Sequence, residues 1–93
     1  MKYLVKWEYC AEDLDKVVKK SLKAQEISEK EPDRFGSYLY PPHHLGQYNG
    51  FSVVESTPEQ IIQAYRYWQP EMKIKFKPIS DTAKMIETYL KSK

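Results

Sequence analysis

Apolar and polar residues alternate at two places along this chain, and both places predict β-strands. In residues 2–8 the apolar side chains Tyr3, Val5 and Trp7 occupy every second position. In residues 72–79 apolar side chains alternate with lysines. Such a period of two puts successive side chains on opposite faces of a strand. Two further runs of β-favouring residues, at 36–40 and 51–55, predict two more strands. Because proline cannot donate to a β-ladder, Pro41-Pro42 should end the second strand.

Three other segments repeat their apolar residues at helical spacing. Residues 11–30 form the first, which Pro32 ends. The second begins at Thr57-Pro58-Glu59-Gln60, which offers an N-cap, a proline at the first helical position and a glutamine that closes a capping box. This helix should end near Pro70, and Asp81 should cap a last one. The apolar stripe of the last helix consists of Met85, Ile86, Tyr89 and Leu90.

The predicted order is therefore βαββαβ with an added C-terminal helix. This order favours an α+β, ferredoxin-like fold of four antiparallel strands with two helices on one face, in a single domain of residues 1–93. Asn49-Gly50 is a tight-turn signal within the long connection 41–50, so residues around Gln47-Tyr48 could extend the second strand. Leu4 and Val54 point away from their apolar neighbours, so both sheet faces should carry apolar groups. We therefore expect a homodimer through the sheet face.

Composition narrows the class of protein. The chain has 93 residues, of which 41% are hydrophobic and 30% charged, as expected for a globular protein with a modest core. The net charge of +2 is small for a nucleic-acid binder. Cys10 is the single cysteine, so neither an internal disulfide nor a cysteine-rich zinc site can form. No apolar run is long enough for a signal peptide or a membrane span, so we expect a soluble, cytoplasmic protein.

Four stretches of the sequence resemble a known family. They are the opening Met-Lys-Tyr-Leu-Val-Lys-Trp-Glu, Asn-Gly-Phe-Ser-Val-Val-Glu at 49–55, the helix that ends in Trp68, and Ile-Lys-Phe-Lys-Pro-Ile-Ser-Asp at 74–81. In order and spacing the chain is similar to a family of short proteins of unknown function. The resemblance implies a dimeric α/β-barrel of ferredoxin-like fold and a homodimer, and it carries over no catalytic residues. The loop Pro41-Pro42-His43-His44 is a departure from that family.

Aromatic residues suggest a ligand site. Eight of them are tyrosines, which can bury a ring while the hydroxyl meets a ligand. A cavity between sheet and helices, with the loop histidines at its mouth, would take a small apolar molecule; core packing and solvated histidines are the structural alternatives. Substituting either histidine by alanine should then weaken ligand uptake without lowering the melting temperature. The candidate binding residues are Trp7, Tyr38, Tyr40, His43, His44, Tyr48 and Trp68.

Other side chains have simpler interpretations. Lys73, Lys75 and Lys77 lie on a predicted edge strand, where lysines prevent aggregation, although an anionic ligand would also suit them. Glu8 and Glu55 would form a general base if they converged. Cys10 is interpreted as a buried structural thiol. No metal site is expected, because two adjacent histidines lack further ligands, and no cofactor is expected, because the chain has no glycine-rich phosphate loop.

The leading functional hypothesis is a homodimer that binds a small molecule or acts as an interaction module. The first alternative is a cofactor-independent oxygenase or isomerase of an apolar ring substrate, using interior aromatics and a loop histidine. The second is a weak RNA binder. Gly50-Phe51-Ser52 fits the RNA-recognition motif, but Val53 replaces its second aromatic residue and Asn49 its basic one. We therefore do not expect nucleic acid as a partner.

Overall fold

A computed structural model describes residues 1–92 of the chain. Its four strands are β1 (Lys2–Tyr9), β2 (Ser37–His44), β3 (Asn49–Glu55) and β4 (Met72–Pro78). Its three helices are α1 (Leu14–Lys30), which follows a 3-10 turn at Ala11–Asp13, α2 (Pro58–Trp68) and α3 (Thr82–Lys91). The α+β class and the βαββαβ order with a final helix are confirmed.

The strands form one antiparallel sheet in the order β2-β3-β1-β4. This is the ferredoxin-like order, in which the first and third strands along the chain are central and the other two are edges. The prediction that the lysine-rich fourth strand lies at an edge is therefore confirmed.

The two faces of the sheet have different neighbours. On one face, Val5 lies opposite Ser52 of β3 and Phe76 of β4, and the Phe76 ring is 5.3 Å from Tyr65 of α2. We call the face turned away from α2 the open face. On the open face, Leu4 lies between Val53 and Lys77.

Register decides which valine joins the core. Val54 pairs with Tyr3 on the side of α2 and is buried, whereas Val53 pairs with Leu4 on the open face. The expectation that Val54 would point with Leu4 away from the core is therefore wrong. A one-residue change of register exchanges the two faces of a strand, and Val53 and Val54 are too alike to reveal the register from the sequence.

A polar contact joins α1 to the end of α2. The Tyr67 hydroxyl donates to the Lys20 carbonyl at 2.6 Å, and the Lys20 ammonium donates to the carbonyls of Tyr67 and Gln69 and to the Glu71 carboxylate. The hydrogen bond from Lys20 holds the pKa of Glu71 below its ordinary value of 4.5. Burial raises the pKa of Tyr67, and the charge of Arg34 partly opposes this shift.

Strand β2 departs from its prediction because it continues through Pro41-Pro42 to His44. Its pairing with β3 shifts between Tyr38 and Tyr40 and again between Tyr40 and His43. Edge strands and bulges are where a sheet tolerates proline. The connection to β3 is consequently short, residues 45–48, and Gly46 takes a φ of 87° there. Asn49-Gly50 begins β3 instead of forming a tight turn.

Much apolar surface stays uncovered in the protomer. The buried apolar side chains are Val5, Val17, Val54, Ala64 and Met72. In contrast, Leu22 of α1 is 60% exposed, and Ile86 and Leu90 of α3 are 55% and 61% exposed. The apolar stripe predicted for the last helix therefore exists but does not pack into the core. Within residues 1–92, none of the helices combines the length and the apolar character needed to cross a membrane.

We predict that Thr57→Ala lowers the free energy of unfolding by about 1 kcal/mol, because it removes half of a capping box. Thr57 Oγ1 accepts from the backbone N–H of Gln60 at 3.3 Å, and Gln60 Oε1 accepts from the backbone N–H of Thr57 at 2.8 Å. Urea denaturation measures the change. Thr57→Ser, which keeps the hydroxyl, should retain most of the stability; equal losses in both variants would contradict the capping role.

We predict that Glu71→Gln destabilises the protein at neutral pH and that its disadvantage shrinks under acid conditions. A carboxylate with a lowered pKa contributes stability above its ordinary value of 4.5, and that stability is lost as the pH falls through the lowered pKa. Thermal melts from pH 7 to pH 3 measure the difference. The control is Glu87→Gln, whose exposed pair with Lys91 should contribute little at any pH. A pH-independent effect of Glu71→Gln would exclude a role for its charge.

Candidate functional site

The two adjacent histidines of β2 point to opposite faces of the sheet. His43 lies opposite Phe51 of β3, and His44 lies opposite Gly50. Phe51 belongs to the open face, and Gly50 belongs to the face of Val5 and Trp7. Since successive side chains of a strand alternate between faces, the histidine pair serves two separate clusters.

The first cluster, which we call the end cluster, consists of Trp7, Tyr9, His44 and Tyr48. The His44 ring meets the Trp7 ring edge-on at 4.8 Å between centroids, and the Tyr9 ring lies 5.7 Å from that of Tyr48. The Tyr9 oxygen is 3.2 Å from His44 Nε2, and the Tyr9 hydroxyl donates to the Gln47 carbonyl at 3.3 Å. The Tyr9 hydroxyl and the His44 imidazole are therefore within hydrogen-bond distance of each other.

Glycine makes room for this cluster. A side-chain carbon at Gly50 would collide with the Trp7 indole and with the His43 carbonyl. The indole therefore lies directly against the β3 backbone, and the neighbouring His44 ring reaches its edge. Close approach of a ring to the backbone is one of the uses of glycine inside a strand. Gly50, interpreted from the sequence as part of a turn, is thus a packing position.

The second cluster, which we call the ring stack, lies on the open face and consists of Tyr40, His43 and Phe51. The Tyr40 and Phe51 rings are nearly parallel, with centroids 5.6 Å apart, and the Tyr40 and His43 rings stack at 4.6 Å. His43 Nδ1 lies 2.7 Å from the Pro41 carbonyl oxygen. Because a carbonyl oxygen can only accept, Nδ1 carries a hydrogen, and Nε2 is left to face solvent or a ligand.

Lysines border the ring stack on the open face. Phe51 lies opposite Lys6 of β1, and Lys6 lies opposite Lys75 of β4. In the next row, Leu4 lies opposite Lys77. The open face thus has an apolar half, formed by Leu4, Tyr40, Phe51 and Val53, and a lysine half, formed by Lys6, Lys73, Lys75 and Lys77.

The predicted binding residues fall into separate places. Trp7, His44 and Tyr48 meet in the end cluster, while Tyr40 and His43 meet in the ring stack. Tyr38 pairs with Val54 at the sheet edge and is 61% exposed, and Trp68 contacts its neighbour Tyr67 in α2 at 5.1 Å.

Two members of these clusters were missed from the sequence. They are Tyr9 and Phe51, which join the end cluster and the ring stack respectively. Continuing the alternation of the first strand by two residues beyond Trp7 would have found Tyr9. Phe51 could not be assigned, because its partner on β2 depends on the bulge at the two prolines.

Two surface grooves lie away from both clusters. One, of about 650 Å³, is lined by Glu31, Pro32, Asp33, Arg34, Glu59, Gln60 and Gln63. The other, of about 490 Å³, follows α3 and is lined by Ser80, Asp81, Lys84, Met85, Thr88 and Tyr89. In the first groove, the side-chain amide of Gln60 donates through Nε2 to the Asp33 carbonyl at 2.6 Å. Oε1 of the same side chain accepts from the Thr57 N–H and so caps α2. This glutamine therefore has a structural role.

Several other candidate groups are corrected by the structure. Glu8 lies opposite Asn49 and Glu55 opposite Lys2, six residues apart along β1, so the two carboxylates do not converge. Cys10 is exposed, in contrast to the expected buried thiol, because it follows β1 at the start of the 3-10 turn. In the part of the chain that the structure describes, histidine, cysteine and acidic residues form no group of three able to hold a metal ion.

Comparison with known proteins gives one match. The model of a family described as a domain of unknown function (DUF3303) matches residues 1–93. The search of curated proteins gives no match. The search of solved structures gives none either.

We predict that His44→Ala moves the indole N–H resonance of Trp7 and that His43→Ala leaves it in place. The His44 ring lies 4.8 Å from the Trp7 ring, whereas His43 lies on the other face of the sheet. A ¹H–¹⁵N spectrum resolves the two indole signals, which Trp68→Phe assigns. Equal shifts in both histidine variants would contradict the opposite orientation of the two side chains.

Proposed function

The chain belongs to the DUF3303 family, and from this starting point we propose that it acts as a homodimeric small-molecule-binding protein. In this proposal the open faces of two protomers pack against each other, and the ligand lies between them. The ring stack and the lysine half supply the groups that would contact it.

The observation that carries the proposal is the size of the uncovered surface. The protomer exposes 7145 Å², whereas a monomer of its mass, 11.1 kDa, typically exposes about 5,650 Å². The excess of about 1,500 Å² is larger than the roughly 800 Å² that each partner buries in a standard interface. Its radius of gyration of 15.5 Å also exceeds the ~13 Å typical of a domain of this size. A second copy would cover the excess surface.

The distribution of charge favours the open face as the contact. Apolar side chains occupy its β2–β3 side, and the lysines lie on β4 and the adjacent part of β1. A two-fold axis through the apolar half would bring Phe51 and Val53 of the two protomers together. The lysine halves would then lie at opposite margins, where they keep contact with water. An isologous interface of this kind is the commonest arrangement of homodimers.

A ligand space follows from the same packing. Sheets packed face to face lie about 10 Å apart when their side chains interdigitate. The lysine and His43 side chains are long. At the border of the apolar half they would hold the open faces of the two protomers apart. An enclosed space with an apolar floor and a polar border is typical of small-molecule sites.

One observation favours the enzyme alternative, a cofactor-independent oxygenase or isomerase. The contact between the Tyr9 hydroxyl and His44 Nε2, at 3.2 Å, joins two groups that can pass a proton to a ring substrate. Turnover of a ring compound that Tyr9→Phe abolishes in an intact dimer would favour this alternative.

We also propose a cytoplasmic location. Its support is Cys10, an exposed thiol and the single cysteine of the chain, which fits a reducing compartment. Microscopy of a fluorescent fusion tests the location, and a signal confined to any other compartment would contradict it.

We predict that Val53→Lys raises the dimer dissociation constant at least about a hundredfold. The substitution would place an unpaired ammonium in the centre of the apolar half, where burying it costs several kcal/mol. Native mass spectrometry over a dilution series measures the monomer and dimer populations, and on the parent protein it also reports any ligand that copurifies.

The matched control is Asn49→Lys, which adds the same charge on the same strand and face but opposite Glu8, outside the apolar half. This variant should dimerise as the parent protein does. A parent protein that remains monomeric at high micromolar concentration, or a dimer insensitive to Val53→Lys, would contradict the proposal.

A further inference from the structure

The open face carries a like-charge pair that the fold does not explain. Lys6 and Lys75 are directly opposite each other on β1 and β4. Like charges in this position destabilise a sheet by up to about 1 kcal/mol. Within residues 1–92, the cations that form ion pairs are the N-terminus, Lys20, Arg34 and Lys91, and neither Lys6 nor Lys75 is among them.

Protection of the sheet edge explains some of these lysines but not all. Lysines on β4 can discourage pairing with another strand, because β4 is an edge. Lys6 lies on β1, between β3 and β4, where there is no edge to protect. Two other lysines of this face have acids opposite them: Lys2 faces Glu55, and Lys73 faces Glu8. Lys6, Lys75 and Lys77, which lies opposite Leu4, therefore have no acid in register, and among them Lys6 and Lys75 are the two that face each other.

The same row of the sheet holds two members of the ring stack, His43 and Phe51. From β2 to β4, in the order of the strands in the sheet, this row consists of His43, Phe51, Lys6 and Lys75. Neighbouring strands are about 4.8 Å apart, so the Phe51 and Lys75 backbones are separated by about 10 Å. A flat ring lying on Phe51 would hold an acidic substituent within reach of both ammonium groups.

We infer that the open face binds a compound in which a single planar ring carries a phosphate or carboxylate group. Phe51 supports the ring, and Lys6 and Lys75 bind the acid. This inference rests on the proposed small-molecule function and names its ligand class.

A single ring suits this face better than a nucleic-acid strand. Proteins that bind single strands stack successive bases on separate aromatic side chains. Here Tyr40, His43 and Phe51 stack on one another, and β1 presents Leu4 and Lys6 where a second ring would be needed. The face thus offers one stacking position beside two charges.

The test uses four probes on the full chain by isothermal titration calorimetry: phenyl phosphate, phenol, inorganic phosphate and a ten-nucleotide uridine oligomer. We expect phenyl phosphate to bind about tenfold or more tightly than phenol or inorganic phosphate, because it engages both halves of the site. The variant Lys6→Gln/Lys75→Gln should weaken phenyl phosphate binding by about tenfold or more. The matched variant Lys2→Gln/Lys73→Gln removes the same charge from the same face and should change it less than about twofold, since acids already oppose both lysines.

Three results would overturn the inference. The first is an absence of phenyl phosphate binding, the second an equal loss in the two double variants, and the third tighter binding of the oligomer than of phenyl phosphate. Native mass spectrometry of the same samples separates the two proposals. A dimer that does not bind phenyl phosphate would overturn the proposed ligand class alone. A monomer that binds phenyl phosphate would overturn the proposed dimer.

Discussion

A four-stranded sheet whose two crossing helices lie on one face cannot cover its other face by itself. In this protein the central strands β1 and β3 must alternate their side chains between the two faces, so Leu4, Phe51 and Val53 point away from α2. Apolar surface removed from water stabilises by about 25 cal/mol per Å². Covering the open face would therefore add to the stability of a protomer whose core is small: within residues 1–92, five apolar side chains are buried.

Strand alternation also sorts the chemistry of the protein. Because His43 and His44 are adjacent on β2, one joins Tyr40 and Phe51 on the open face and the other joins Trp7 and Tyr9 on the opposite face. The two clusters offer different functions. The end cluster holds a hydroxyl and an imidazole in hydrogen-bond contact, and the ring stack offers a flat surface beside lysines. A single cavity between sheet and helices, as the sequence suggested, would have combined these groups.

The elements that could be predicted are those whose signals are local. The capping box at Thr57 and the alternation of β4 depend on residues close in the sequence, and both appear in the structure. The existence of strand β2 was predicted, but its length was not, because its continuation through Pro41-Pro42 depends on its position at an edge and on bulges against β3. Of the residues in the two clusters, the sequence identified Trp7, Tyr40, His43, His44 and Tyr48 and missed Tyr9 and Phe51. Their division between faces required the register, which is set by long-range pairing.

The central claim, that a second copy covers the open face, is tested most directly by isotope-filtered NMR on a mixed sample. One half of the protein carries ¹³C-labelled methyl groups and the other half is unlabelled. We expect cross-peaks from the Leu4 and Val53 methyl groups of one protomer to the Phe51 ring of the other. If the measured mass is that of a dimer but the Leu4 and Val53 methyl groups give no cross-peaks to the unlabelled protomer, another surface forms the interface. The mass of a monomer at that concentration would contradict the claim altogether.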